Sequence, residues 1–187
     1  MSDQDQKEIH PEAEALLAFW EDQRGDCALP GKDAMDPLKL RRWLGDVSIV
    51  DLHDGPKRFY VRLHGGRTQE RVGNDMTRGY FEDTFDPKML EFALAPYRAA
   101  EKAKRPTHSF MIPRLYPSVF TKLERLVLPF SAGDADEART TVASFLVWAG
   151  PTGRTGVTGD SVYDMVKNGA LSSAQVAEAV ELEVLTA

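Results

Sequence analysis

The sequence predicts an α+β fold: a five-stranded antiparallel sheet with an N-terminal helix, a small helical flap and one long helix. Three observations carry that prediction. Phe59, Val61 and Leu63 alternate with Tyr60, Arg62 and His64, the period-two pattern of a strand with one apolar face. The stretch from Gly65 to Phe85 then breaks into short polar pieces around Gly73 and Gly79, with Met76, Tyr80 and Phe81 as its sizeable apolar residues, as in a lid. A long amphipathic segment and three further strand patterns follow.

In chain order, Met1 to Ile9 reads as a polar leader. Pro11 suits the first turn of a helix along which Ala13, Leu16, Leu17 and Trp20 share a face, and Gly25 is placed to stop it. Asp36-Pro37 combines a cap with a first-turn proline, predicting a short helix with Leu40, Trp43 and Leu44 on its apolar side. Val47 to Leu52 is the first strand. The Asp54-Gly55 pair favours a tight hairpin to the strand Phe59–His64, making the two antiparallel neighbours. Asp86-Pro87 starts the longest helix, with Met89, Leu90, Ala93, Leu94 and Tyr97 on one face, and Pro96 inside it predicts a bend or break. Thr107 to Leu115, Leu123 to Phe130 and Thr141 to Trp148 complete the five strands, the first two joined through a Tyr116-Pro117-Ser118 turn. Pro129 cannot donate to a ladder and belongs at a strand end, a bulge or an edge. The run GPTGRTGVTG from Gly150 closes the domain, giving a division into residues 1–9, 10–149 and 150–187. In the tail, Asn168-Gly169 marks a turn, and Ser172 with Gln175 has capping-box spacing for a final helix.

Composition narrows the function classes. A hydrophobic fraction of 42% and a charged fraction of 28% over 187 residues fit one globular domain, and no run approaches the ~20 apolar residues of a membrane span. The acidic, polar N-terminus lacks the basic stretch and apolar run of a secretory signal, which predicts a cytoplasmic protein. Cys27 is the single cysteine, so no intrachain disulfide forms. A net charge of −6 argues against a grip on nucleic acid, and the clusters at Lys39, Arg41 and Arg42 and at Lys102, Lys104 and Arg105 read as a solvated face and a helix end.

The order of elements resembles that of PAS domains, and particular phrases resemble the compact single-domain PAS proteins of bacteria. These are FWEDQRG, with Trp20 and Arg24-Gly25; MDPLKLRRWL, with Asp36-Pro37; YVRLHGG, with Arg62-Leu63; and LERLVLPF near Leu126. The resemblance covers roughly residues 14 to 149, and His64-Gly65-Gly66 stands where that group usually has a small residue and then Gly-Thr. It implies a ligand space between the sheet and the flap with the long helix. Leu63, Met76, Tyr80, Phe81, Leu90, Leu94, Tyr97, His108, Phe110, Leu128 and Phe145 would line it. It also implies dimerisation through the leading helix, with Leu16, Leu17 and Trp20 at the interface, and a separate signalling partner.

Chemistry beyond binding has little support. Residues 67–105 contain no histidine to serve as a haem axial ligand, and Cys27 lies outside the flap where a photoactive flavin needs its cysteine, so neither cofactor is expected. No His-x-x-x-His or Cys-x-x-Cys spacing suggests a metal. Arg67 and Arg71 have the spacing of an anion clamp, yet no companion element accompanies them. The leading expectation is a non-enzymatic sensory or regulatory protein working through a small molecule, protein contacts or both. One alternative is a small enzyme or carrier whose cavity is lined by His64, His108 and an acidic residue. Another is a structural adaptor filled by its own side chains.

Overall fold

The computed structural model describes residues 9–53, 58–72, 75–111, 122–132, 141–152 and 180–185. Helix α1 (Pro11–Arg24) leads through a 3-10 turn (Lys32–Met35) to strands β1 (Val47–His53) and β2 (Arg58–His64). Short helices α2 (Gly66–Val72) and α3 (Phe81–Thr84) precede the long α4 (Pro87–Ala103). Strands β3 (Thr107–Met111), β4 (Lys122–Ser131), β5 (Val142–Thr152) and β6 (Val180–Val184) follow. All pair antiparallel in one sheet ordered β2-β1-β5-β4-β3-β6.

The sixth strand differs from expectation. Val180–Val184 returns from beyond the glycine-rich run to pair with β3, Ser109 opposite Leu182. The Asp54-Gly55, Tyr116-Pro117-Ser118 and Asn168-Gly169 turns, the leader up to residue 8 and the helix expected from Ser172 lie outside the described residues.

The Asp36-Pro37 segment is also not a helix. Asp36 caps as expected, its Oδ1 accepting from Leu38 N at 2.7 Å. The backbone then closes successive turns, Trp43 N to Leu40 O at 2.8 Å and Asp46 N to Trp43 O at 2.7 Å. Turning lets Leu40 and Trp43 both reach the core. It also brings the backbone of Leu44 and Gly45 against Gly65, where a Cβ would lie 2.6 Å from either carbonyl oxygen. Close approach, rather than an unusual φ, is what requires glycine at 65.

Gly25 does stop α1 with φ 54°, in the left-handed region that side chains resist. Helix α4 runs unbroken through Pro96. Proline removes one backbone donor, and nearby side chains serve two of the local carbonyls: Arg125 Nη1 donates to Ala93 O at 3.2 Å and Thr107 Oγ1 to Pro96 O at 3.0 Å.

The sheet is covered on both faces. Phe145 meets Phe59 and the α4 residue Tyr97 on the flap face, whereas Trp148 stacks on His10 at the start of α1. Leu16 and Trp20 of α1 are 0% exposed within the single chain. This corrects the expected dimer interface: the stripe of Leu16, Leu17 and Trp20 packs into or against the domain's own core, because the sheet offers it an apolar face.

Candidate functional site

Directly paired residues of neighbouring strands project to the same face, so register decides what can share a pocket. Phe145 pairs with Val50 and Pro129, and Val50 pairs with Val61; these define the flap face. Leu128 pairs with Leu146, Leu126 with Trp148, and His108 with Leu126; these belong to the α1 face. Leu128 and His108 therefore cannot line a space with Phe145. Each strand's alternation is as expected, but the two apolar stripes lie on opposite sides of the sheet.

A bulge in β2 makes a further correction. Val61 pairs with Val50 and Leu63 with Ile49, so Arg62 is an extra residue on β2. The slip turns Leu63 to the α1 face and His64, opposite Ser48, to the flap face. His64 is 6% exposed, and its Nδ1 lies 3.5 Å from Ser48 Oγ. Arg62 points to water and pairs with Asp51, Nε to Oδ2 at 3.1 Å.

Tyr80 likewise leaves the expected pocket. Residues 78–80 run along the outer edge of β2, with Val61 N donating to Gly79 O at 2.8 Å, Arg78 N to Val61 O at 2.7 Å, and a bridge between Tyr60 and Tyr80. The flap thereby covers what would be an open sheet edge. Tyr80 joins Tyr60 and His53 in a half-exposed ring cluster, the Arg58 guanidinium 3.9 Å from its ring centre. The side chain of Phe110 lies outside the described residues.

Of the remaining expected residues, Met76, Phe81, Leu94, Tyr97 and Phe145 are buried in the core and Leu90 packs against it. Five aromatics form its centre on the flap face: Tyr97 lies 5.3 Å from Phe145, 5.6 Å from Phe81 and 5.7 Å from Phe59, and Phe81 is 5.7 Å from Phe85. Most meet edge to face, the geometry that the ring quadrupole favours. Burial pushes the Tyr97 phenol up to about 12, so it stays neutral.

Where β2 ends, the flap-side core becomes polar. His64 and Thr68 of α2 are both buried, and neither His64 Nε2 nor Thr68 Oγ1 has a hydrogen-bond partner among the described residues. Gln69 Nε2 donates to His64 O at 2.8 Å and fixes the junction of strand and helix. Asp75 acts on the imidazole through its charge. The residue types were visible in the sequence, but turning His64 inward requires the bulge. Arg67 is unavailable as an anion clamp because it grips Asp46, its Nε 2.9 Å from Oδ1; the Arg71 side chain lies outside the described residues. Among the described residues, no group of three or more His, Cys, Asp or Glu could hold a metal ion, and no helix is long and apolar enough to cross a membrane.

Burial holds the His64 imidazole below its ordinary value of 6.5, with the Asp75 charge and the nearby Thr68 backbone partly opposing the shift. The folded state then binds the proton less readily than the unfolded chain. The stability carried by neutral His64 is full above about pH 6.5 and is lost as pH falls from there through the lower folded value. Urea midpoints measured from about pH 7.5 down to 5 should fall less steeply for His64→Gln than for the wild type. Parallel pH curves would contradict the buried neutral imidazole.

The family model described as PAS domain matches residues 8–143. A solved structure of an RsLOV variant is similar with a TM-score of 0.37 and 14% identity, over 80% of this chain and 73% of that chain. No curated protein matches.

Proposed function

Because the chain belongs to the PAS domain family, we propose that this sensory or regulatory domain acts in the cytoplasm without catalysing a reaction, holding a small molecule at the polar end of its flap-side core. A protein partner would read the bound state. The observation that carries this reading is the pair of buried polar atoms, His64 Nε2 and Thr68 Oγ1, beside an apolar aromatic core. Burying a polar atom without a partner costs about 1 to 3 kcal/mol, and a ligand with one or two hydrogen-bonding atoms would remove that cost. Native mass spectrometry of freshly purified protein should show a bound small molecule that His64→Val with Thr68→Val releases. The complex should be colourless above the aromatic band, since residues 67–105 of the flap and long helix carry neither a histidine for haem nor a cysteine for a photoactive flavin. The bare chain mass in the wild type would count against the reading.

The ring-on-ring packing of Phe59, Phe81, Tyr97 and Phe145 favours a second reading, an adaptor filled by its own side chains that works through protein contacts alone. Leu94, 1% exposed on α4, separates the two. If that region is filled, Leu94→Ala should cost about 2 to 5 kcal/mol in a urea titration. A loss well below that range would reveal space already open beside it.

A further inference from the structure

Glu124 is fully buried on the α1 face of β4, where an ionisable side chain needs a specific reason to be. Its Oε1 accepts from the backbone N–H of His10 at 2.9 Å and lies 2.8 Å from Nε2 of His108, itself 3% exposed. Oε2 is buried with no partner among the described residues. His10 is the residue on which α1 begins: its Nδ1 accepts from Glu12 N at 3.1 Å and its carbonyl from Glu14 N at 2.9 Å. The His10 ring also stacks on Trp148, centroids 5.1 Å apart. Trp148 in turn lies over Gly150, where a Cβ would come within 2.3 Å of the indole.

The same carboxylate also reaches the other end of the chain. His108 is the β3 residue opposite Glu183 of β6, and β3 is held in the sheet by β4 on one side and β6 on the other. Leu185 N donates to Pro106 O at 2.9 Å and extends that pairing past the strand. One buried oxygen thus joins the residue that caps the N-terminal helix to the strand against which the C-terminal strand lies. We propose that Glu124 and His108 form a latch through which β6 controls how firmly α1 is held on the sheet. When β6 leaves, β3 becomes an edge strand, His108 shifts, and the Glu124 side chain loses the imidazole contact that positions it for His10. The first turn of α1 then loosens. An effector that captures the C-terminal strand would in this way change the surface presented by the N-terminal helix.

Hydrogen exchange on the full chain tests the coupling. Leu185 N, two residues beyond Glu183, donates to Pro106 O, so the Glu183 N–H also faces β3, and Glu183→Pro removes that donor and disrupts the pairing of β6 with β3. In the wild-type background it should raise exchange at β3 and also, by at least about tenfold, at the amides of His10, Glu12 and Glu14. In a chain carrying His108→Leu with Glu124→Met, which replaces the pair by apolar side chains, the same proline should raise exchange at β3 and leave those α1 amides unchanged. Faster exchange at β3 with no response in α1 in the wild-type background overturns the proposal, as does an equal response of α1 in both backgrounds. Should Glu183→Pro unfold the chain, Glu183→Gly weakens the strand more gently and is read by the same two comparisons.

Discussion

Trp20→Ala is expected to destabilise the protein by about 3 to 5 kcal/mol, a large part of the ~5 to 15 kcal/mol that holds a typical domain folded. Trp20 is 0% exposed on α1, and its Nε1 donates to the carbonyl oxygen of Pro129 at 2.8 Å. That bond explains how a proline is tolerated in an interior strand. Strand β3 pairs with β4 over residues 123 to 127 and ends before Pro129. The N and C=O of a strand residue point to the same side, so the Pro129 ring nitrogen and carbonyl both face the gap beyond β3, where no donor is demanded of the proline. The indole supplies the donor that a longer β3 would have provided. Trp20→Phe separates the two contributions: it keeps most of the ring and leaves the carbonyl unpaired, at about 1 to 3 kcal/mol. Urea unfolding measures both variants. If Trp20→Phe is as stable as the wild type, the indole bond contributes nothing. A loss below about 1 kcal/mol for Trp20→Ala would mean that α1 is not part of the core.

His108→Leu is expected to cost about 3 to 5 kcal/mol, because it strands the buried carboxylate of Glu124 without its imidazole partner. The packing change is small and the electrostatic change is large. Adding Glu124→Met should then recover most or all of the loss, since replacing both partners of a buried polar pair by apolar side chains of similar shape is often nearly neutral or stabilising. The pair of measurements forms a cycle in which the second substitution reverses the first. A double variant no more stable than His108→Leu alone would show that His108 matters for its packing rather than for its contact with Glu124.

Much of the architecture was legible in the residues. The alternation of Phe59, Val61, Tyr60 and Arg62 marks β2, Asp86-Pro87 marks the start of α4, and Gly25 stops α1, each through a local rule of backbone geometry or capping. Long-range partners were harder. Leu126, Leu128 and Phe130 share one face of β4, and Phe145 and Val147 share one face of β5, as the alternation implies. Nothing in either strand says that these two faces are opposite sides of the sheet. The strand β6 was missed because five residues, VELEV, give too short an alternation to outweigh the capping-box spacing that precedes them.

The sequence by itself determined the family, the α+β class and the identity of most elements, because those depend on residues a few positions apart. Which side chains meet was decided by the tertiary structure. The extra residue Arg62 shifts β2 by one position, sending Leu63 to the α1 face and His64 into the flap-side core. The apolar stripe of α1 found its partner in the sheet rather than in a second chain. Glu124 and His108, sixteen residues apart, meet because β3 and β4 pair antiparallel in one register. A strand's side chains alternate with period two, so a shift of one residue exchanges the two faces, and that shift is chosen by the neighbours it must pack against.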